Sequence, residues 1–233
     1  MYNLSKNTYK FFLALILSSG MFFAGCAEDT VVPKGDNIEF SYVQSGDTVD
    51  NSGILLLDTV KILLKDIKLN VANSSDSSNS KVGPYVLYLD LNQVGGANFI
   101  GSNLIPVGTY DKLSFEVHKL SDNELPPDPE FLDANGRYSV IAKGSYNGVR
   151  FIYKSDKSAK QKLTFPNSLV VIENSTNVTL RILPYLWFLN ESTNEYMDPS
   201  DPNNNSEIEK NIKENIKANF KAFKDSDKNG QPD

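Results

Sequence analysis

The sequence predicts an all-β protein: an antiparallel β-sandwich carrying one C-terminal amphipathic helix. Three observations predict it. Apolar residues recur with period two through most of residues 37 to 190, the spacing that puts every second side chain on one face of a sheet. Turn-forming residues break these runs at short intervals, and Asn147-Gly148 between two such runs is the strongest of them, because this pair tolerates positive φ at both central positions of a type I′ hairpin turn. After residue 205 the apolar period changes to that of a helix.

The strands follow in chain order. "NIEFSYV" opens the body. "VKILLKDIKLNV" is subtler: Val60, Ile62 and Leu64 keep one phase, Ile67, Leu69 and Val71 the other, and a β-bulge at Lys65-Asp66 restores a single buried face. "NSSDSSNS", residues 73 to 80, is a polar loop with nothing to bury. "YVLYLDL" sets Tyr85, Leu87, Leu89 and Leu91 on one face, and "DKLSFEVHKL" sets Leu113, Phe115 and Val117 against Lys112, Ser114 and Glu116. Further strands are expected at "FIGSNLI", in the two arms of the Asn-Gly hairpin, and at "KQKLTF", "SLVVIE" and "NVTLRIL". Nine or ten short strands with almost no helix point to a sandwich.

Beyond the Pro/Asn-rich "DPSDPNNN", Ser206 and Glu209 have the spacing of a capping box, and Ile208, Ile212, Ile216, Phe220 and Phe223 form an apolar stripe. A helix from about Glu207 to Phe223 is expected, docked by that stripe on the sandwich. The organisation is then a leader at residues 1–25, a polar tether at 26–36, the sandwich at 37–190, and a linker, helix and tail at 191–233.

The leader carries Lys6 and Lys10 ahead of an uncharged stretch, "FFLALILSSGMFFAG", which is too short to span a bilayer as a helix. It ends at Cys26, the one cysteine of the chain, so no disulfide forms within it. "FAGC" resembles the lipobox of bacterial lipoproteins, which implies acylation of the Cys26 thiol and cleavage after Gly25. The acidic "AEDT" next to it is similar to the export signal of Bacteroidota-type surface lipoproteins. That resemblance implies lipid anchoring in the outer membrane with the body on the cell surface, the periplasmic face being the alternative.

The mature chain has 21 basic against 29 acidic residues, a balance that repels nucleic acid and anionic lipid head groups. The dense run of Lys154, Lys157, Lys160 and Lys162 reads as a solvated hairpin edge. His118, the sole histidine, falls by period-two counting on the polar face of its strand. No G-x-S-x-G, H-E-x-x-H, P-loop or G-x-G-x-x-G occurs, and the expectation is a protein that is not an enzyme.

One stretch has cation chemistry. In "DSDKNGQPD", Asp225, Asp227 and Asn229 alternate, Gly230 permits a sharp bend, and Gln231 and Asp233 complete a candidate calcium wrap. The stretch resembles the start of an EF-hand loop and the repeats of thrombospondin type 3 modules, and departs from both in lacking the later bidentate acid. Asp198 or Asp201 would supply the missing oxygen if the tail folds back.

A binding platform is the other candidate, with Tyr185, Trp187 and Phe188 in "LPYLWFLN" as the aromatic surface and an unidentified glycan or protein as the ligand. A purely structural or adhesive surface lipoprotein, or an accessory to a glycoside-acting enzyme, are the alternatives. The succession from "VKILLKDIKLNV" to "LIPVGTYDKLSFEVHKL", with Pro106, Gly108 and Tyr110 in a Pro-x-Gly-x-Tyr turn, resembles bacterial lipoprotein domains with a prealbumin-like or immunoglobulin-like sandwich. That resemblance implies fold and location alone.

Overall fold

The computed structural model describes residues 35–44, 53–73, 83–92, 96–173, 176–219 and 221–233. The leader, Cys26, most of the tether and most of the "NSSDSSNS" loop lie outside the described residues, as do the side chains of Ile216 and Phe220. The chain divides after Val31, and the sandwich, helix and tail all belong to the second unit, Val32–Asp233.

Its strands are β1 (Ile38–Gln44), β2 (Leu55–Val71), β3 (Tyr85–Asp90), β4 (Asn98–Asn103), β5 (Gly108–Val117), the two-residue β6 (Leu132–Asp133) and β7 (Gly136–Arg137), β8 (Val140–Tyr146), β9 (Val149–Ser155), β10 (Ala159–Val171), β11 (Thr176–Ile182), the short β12 (Leu189–Asn190) and β13 (Glu195–Tyr196), and β14 (Lys221–Lys224); one α-helix, α1 (Asn205–Asn219), precedes the last strand. Two sheets form the sandwich. One has the order β14-β11-β1-β4; the other runs β10-β5-β2-β8-β9, with β3 also paired to β2.

Period two sets the layers. Ile38, Phe40 and Tyr42 of β1 and Val178, Leu180 and Ile182 of β11 join Val60, Ile62, Leu113, Phe115, Val140 and Phe151 of the larger sheet in one continuous core. The alternate residues of β1 and β11, Glu39 and Ser41 with Asn177 and Thr179, are also nearly inaccessible, so something covers the outer face of the smaller sheet.

β2 bears out the bulge. Asp66 adopts φ 55° and the pairing with β5 shifts between Lys65 and Lys68, which returns Leu64, Ile67 and Leu69 to the same core. Leu63 points the other way and seeds a second, smaller core with Leu120, Phe131 and Ile141 beneath the long loop that follows β5. The Asn147-Gly148 turn joins β8 to β9 with φ 48° and 77°, as a type I′ turn requires. The Pro106 turn has a physical reason too: the Tyr110 hydroxyl donates to the Pro106 carbonyl at 2.7 Å, so the tyrosine locks the entry to β5.

Four expectations are corrected. β1 and β11 pair in parallel, from Ile38 opposite Thr176 to Gln44 opposite Ile182, whereas β1 and β4, like the ladders of the larger sheet, are antiparallel. Parallel neighbours need a long connection, and nearly the whole body lies between these two strands. "KQKLTF" and "SLVVIE" are one strand, β10, whose pairing with β5 shifts between Thr164 and Leu169 around Pro166, because a proline has no N–H for the ladder.

The helix is shorter than its stripe. α1 ends at Asn219, and Phe223 belongs to β14 instead. Its start is set one turn earlier than Ser206: Asp201 Oδ1 accepts from the Asn203 N–H at 2.9 Å and begins a 3-10 turn, Pro202–Asn204, that runs into the helix. Ile208 and Ile212 still dock into the core, and Asn211 Nδ2 donates to the carbonyls of Trp187 at 3.2 Å and Leu189 at 2.7 Å.

His118 is 9 % exposed, not solvated. It stands just past β5, with Nε2 2.7 Å from Glu124 Oε2 and Nδ1 3.5 Å from Glu116.

Candidate functional site

The cover over the polar face of the smaller sheet is the C-terminal tail. β14 adds an edge strand antiparallel to β11, Val178 opposite Lys224 through Arg181 opposite Lys221. Ala222 turns into the core, while the Phe223 ring takes the Arg181 guanidinium at 5.3 Å. Beyond Lys224 the chain crosses onto β11 and β1.

Asp225 is the pivot and is wholly buried. Its N–H donates to the Asn177 carbonyl at 3.2 Å, and its own carbonyl accepts from Asn177 Nδ2 at 2.9 Å. Its carboxylate accepts from the Thr179 hydroxyl at 2.8 Å and from the N–H groups of Asn229 and Gly230, both at 3.0 Å. Asn177 in turn accepts from the Ser41 hydroxyl at 2.9 Å, so the chain of bonds reaches β1. Buried polar groups are tolerable only when satisfied in this way.

The turn itself needs Gly230. Its φ is +80°, and a Cβ there would stand 2.9 Å from Val43 Cγ2. Lys228 also takes positive φ, 56°, and reaches back to Glu39, a carboxylate sealed in the sheet, at 2.8 Å.

Asp233 closes the ring. Its N–H donates to the Lys224 carbonyl at 3.0 Å, and its carboxylate accepts from the Ser226 N–H at 2.9 Å, the Ser226 hydroxyl at 2.7 Å and Lys224 Nζ at 2.8 Å. The lysine first, then the serine, hold this carboxyl down at about 2.

Of the five residues expected around a cation, the structure brings three together: Asp225, Asp227 and Asp233 each place a carboxylate oxygen within 4.8 Å of the others. Asn229 spends its side chain inside the loop, donating to Asp227 Oδ2 at 2.8 Å and accepting from the Gln231 N–H at 2.7 Å. The Gln231 side-chain carbonyl accepts from Arg181 at 3.1 Å. Asp198 and Asp201 stay out of the cluster and hold local turns through the N–H groups of Ser200 and Asn203.

The donor set suits a hard cation in part. All three ligands are oxygens, and the bend between them is that of a calcium loop, but calcium takes six to eight oxygens. Asp225 already accepts three hydrogen bonds, so Asp227 and Asp233 would offer the remaining lone pairs and water would complete the shell.

The aromatic platform is corrected. Tyr185, Trp187 and Phe188 lie in a 3-10 turn, Pro184–Phe188, at 6 %, 1 % and 0 % exposure. The Tyr185 hydroxyl accepts from the Leu57 N–H at 3.0 Å, and Phe188 meets the rings of Phe151 at 6.1 Å and Tyr153 at 5.6 Å. These rings belong to the core and offer a ligand no surface.

Sequence reasoning missed Glu39, Asn177 and Thr179, the floor on which the tail sits. Their one signal was polar residues in strands that are otherwise apolar, which reads equally as a solvated face.

No family model matches the chain, and no curated protein does. Among solved structures, MbnP from Methylosinus trichosporium is similar at 13 % identity and a TM-score of 0.37, over 64 % of this chain and 75 % of that one. A likeness at that level carries no functional argument.

Proposed function

We propose that the chain is a lipid-anchored protein of the bacterial outer membrane whose sandwich is a non-catalytic body that binds a glycan or protein at the cell surface. The observation that carries this is Cys26: the one thiol of the chain stands directly after Ala24-Gly25 at the end of an uncharged leader and directly before an acidic tether. No helix among the described residues is long and apolar enough to cross a membrane, so in this reading the acyl chains do the holding. Each buried CH₂ contributes about 0.8 kcal/mol, and more than one chain gives stable attachment. Feeding cells an alkyne-tagged fatty acid tests it: the wild-type protein takes up label and Cys26→Ser takes up none. Label retained on the serine variant overturns the reading.

Calcium at Asp225, Asp227 and Asp233 is the second part of the proposal, supported by their convergence within 4.8 Å. Its role is to brace the tail on the sheet, with a dissociation constant on the order of 10⁻⁴ to 10⁻³ M, typical of extracellular modules. Asp227→Ala is the informative variant, because Asp225 also holds the sheet together. Calorimetric heat in the wild type that vanishes in Asp227→Ala supports the role; no heat at millimolar calcium ends it.

A further inference from the structure

The end of the sandwich at which the tether enters carries an apolar surface. Leu104 and Val107 are 59 % and 60 % exposed there, and Val170 and Ile172 are 53 % and 48 % exposed. Single exposed apolar side chains are ordinary on a protein, but a group of them gathered in one place marks a contact surface.

One buried side chain gathers them. Asn37, 3 % exposed, is the last residue before β1. Its Nδ2 donates to the Ile105 carbonyl at 2.9 Å and to the Ile172 carbonyl at 3.3 Å, and its Oδ1 accepts from the Ile105 N–H at 2.9 Å. The loop from β4 to β5, which bears Leu104, Pro106 and Val107, is thereby tied to the end of β10, which bears Val170 and leads into Ile172. Strand pairing sets the same arrangement. Val170 stands opposite Thr109 and Val171 opposite Gly108, so one step further brings Ile172 level with Val107. Val171 points into the core, and by alternation Val170, Ile172 and Val107 turn outward together.

Residues 103–108 and 169–173 hold no lysine or arginine, and Glu173 is their one charged residue. This surface therefore gives a phosphate no cation, and what it offers is apolar contact.

The length of the chain decides what lies against it. The tether, residues 26–36, reaches at most about 40 Å when fully extended, and it ends at Asn37. β2 alone, at about 3.3 Å per residue, is about 55 Å long. One end of β2 lies beside the apolar surface, where the Ala72 N–H donates to the Thr109 carbonyl at 2.9 Å; the other lies beside the Asn147-Gly148 turn, where the Asn147 N–H donates to the Ile54 carbonyl at 2.8 Å. An acyl group on Cys26 thus holds the apolar end within the tether's reach of the bilayer, and the hairpin end is the one left to face outward. A protein partner would have to enter that gap, whereas the lipid already borders it.

We infer that Leu104, Val107, Val170 and Ile172 form a membrane-docking foot that rests in the head-group layer of the bilayer. The inference rests on the reading of Cys26 as the lipid anchor and adds to it the orientation of the body, with the foot on lipid and the Asn147-Gly148 hairpin away from it.

The test uses the mature protein purified with its acyl chains and reconstituted in phosphatidylcholine vesicles. Acylation occupies the one native thiol, so Val107→Cys and, as the control at the other end, Val149→Cys each take a single bimane label. Val149 is 68 % exposed, so neither substitution disturbs the core. An apolar face lies about 5 to 10 Å into the head-group boundary, and a lipid nitroxide at that depth is expected to quench the label at residue 107 at least about twofold more than the label at residue 149. Added salt leaves the difference in place, and Leu104→Asp with Ile172→Asp removes it; a difference that salt abolishes, or that the double variant leaves intact, overturns the apolar contact. Equal quenching at the two sites overturns the foot, as does a label at residue 107 that is shielded from water but not quenched by lipid, the mark of a second copy of the chain lying there. Intact mass separates the two failures: equal quenching in a protein whose Cys26 carries its acyl chains overturns the foot alone, and an unmodified Cys26 overturns the anchored reading and the foot with it.

Discussion

Lys228, in the C-terminal loop, places its ammonium 2.8 Å from the carboxylate of Glu39, whose side chain is 1 % exposed in the middle of the smaller sheet. The pair joins the last residues of the chain to the first strand of the sandwich. Neither Glu39 oxygen completes a well-formed hydrogen bond among the described residues, so the Lys228 ion pair is what makes that buried carboxylate tolerable. Lys228 itself is 38 % exposed, so Lys228→Met is expected to destabilise by about 1 to 3 kcal/mol, the cost of leaving the buried carboxylate without its partner. Glu39→Gln in the same background restores most of the loss, because the charge goes with its partner. Equilibrium unfolding of the two single variants and the double variant gives the coupling; additive effects contradict the account.

Glu124 organises the loop after β5. Lys65 above all, then the Ser121 N–H and His118, hold its carboxyl well below the usual carboxylate range. A folded value below the unfolded one of about 4.3 means the stabilisation is complete above that pH and is lost as the pH falls toward the folded value. Glu124→Gln is expected to lower stability by about 1 to 2 kcal/mol at neutral pH. Thermal unfolding across a pH series checks the sign: the gap between wild type and variant narrows progressively below about pH 4. A gap independent of pH contradicts the network.

Gly144 is fixed by space. A Cβ on it would meet the Leu56 carbonyl oxygen at 2.0 Å, and that atom belongs to the β2 backbone. Gly144→Ala is expected to cost more than about 3 kcal/mol, since the β2–β8 ladder has to part. Gly108 is the control: its nearest atom is Tyr110 Cε2 at 3.9 Å, and Gly108→Ala is expected to cost less than about 1 kcal/mol. Denaturant midpoints of the two variants settle the comparison.

Trp187 is a keystone of the core and of the helix dock, with 1 % exposure and a backbone carbonyl that accepts from Asn211. Trp187→Ala is expected to destabilise by about 3 to 5 kcal/mol. Circular dichroism and unfolding report that loss directly. Unchanged stability, with a defect confined to ligand binding, would return the residue to the surface role that its composition suggests.

The fold was legible in the sequence wherever its cause is local. The Asn147-Gly148 hairpin and the bulge at Asp66 were, because a turn dipeptide and a change of phase act over a few residues. The parallel pairing of β1 with β11 was not, since nothing near Ile38 points to Thr176. Phe223 fitted a helical stripe by spacing but sits in a strand, because the edge of β11 offered backbone partners that a frayed last turn lacks. His118 obeyed the alternation of β5 up to its end and was then covered by a loop whose path the alternation does not encode. The acidic residues of the tail stand at alternate positions around a glycine bend, which the sequence displays; their floor was invisible, because buried polar strands and solvated ones share a composition.

The anchored-body account turns on the sulfur of Cys26, and intact mass spectrometry of the protein purified from bacterial membranes measures it most directly. The account predicts a chain that begins at Cys26 and carries the added mass of a diacylglyceryl group. A chain that still begins at Met1, or one that begins at Cys26 with an unmodified thiol, contradicts it.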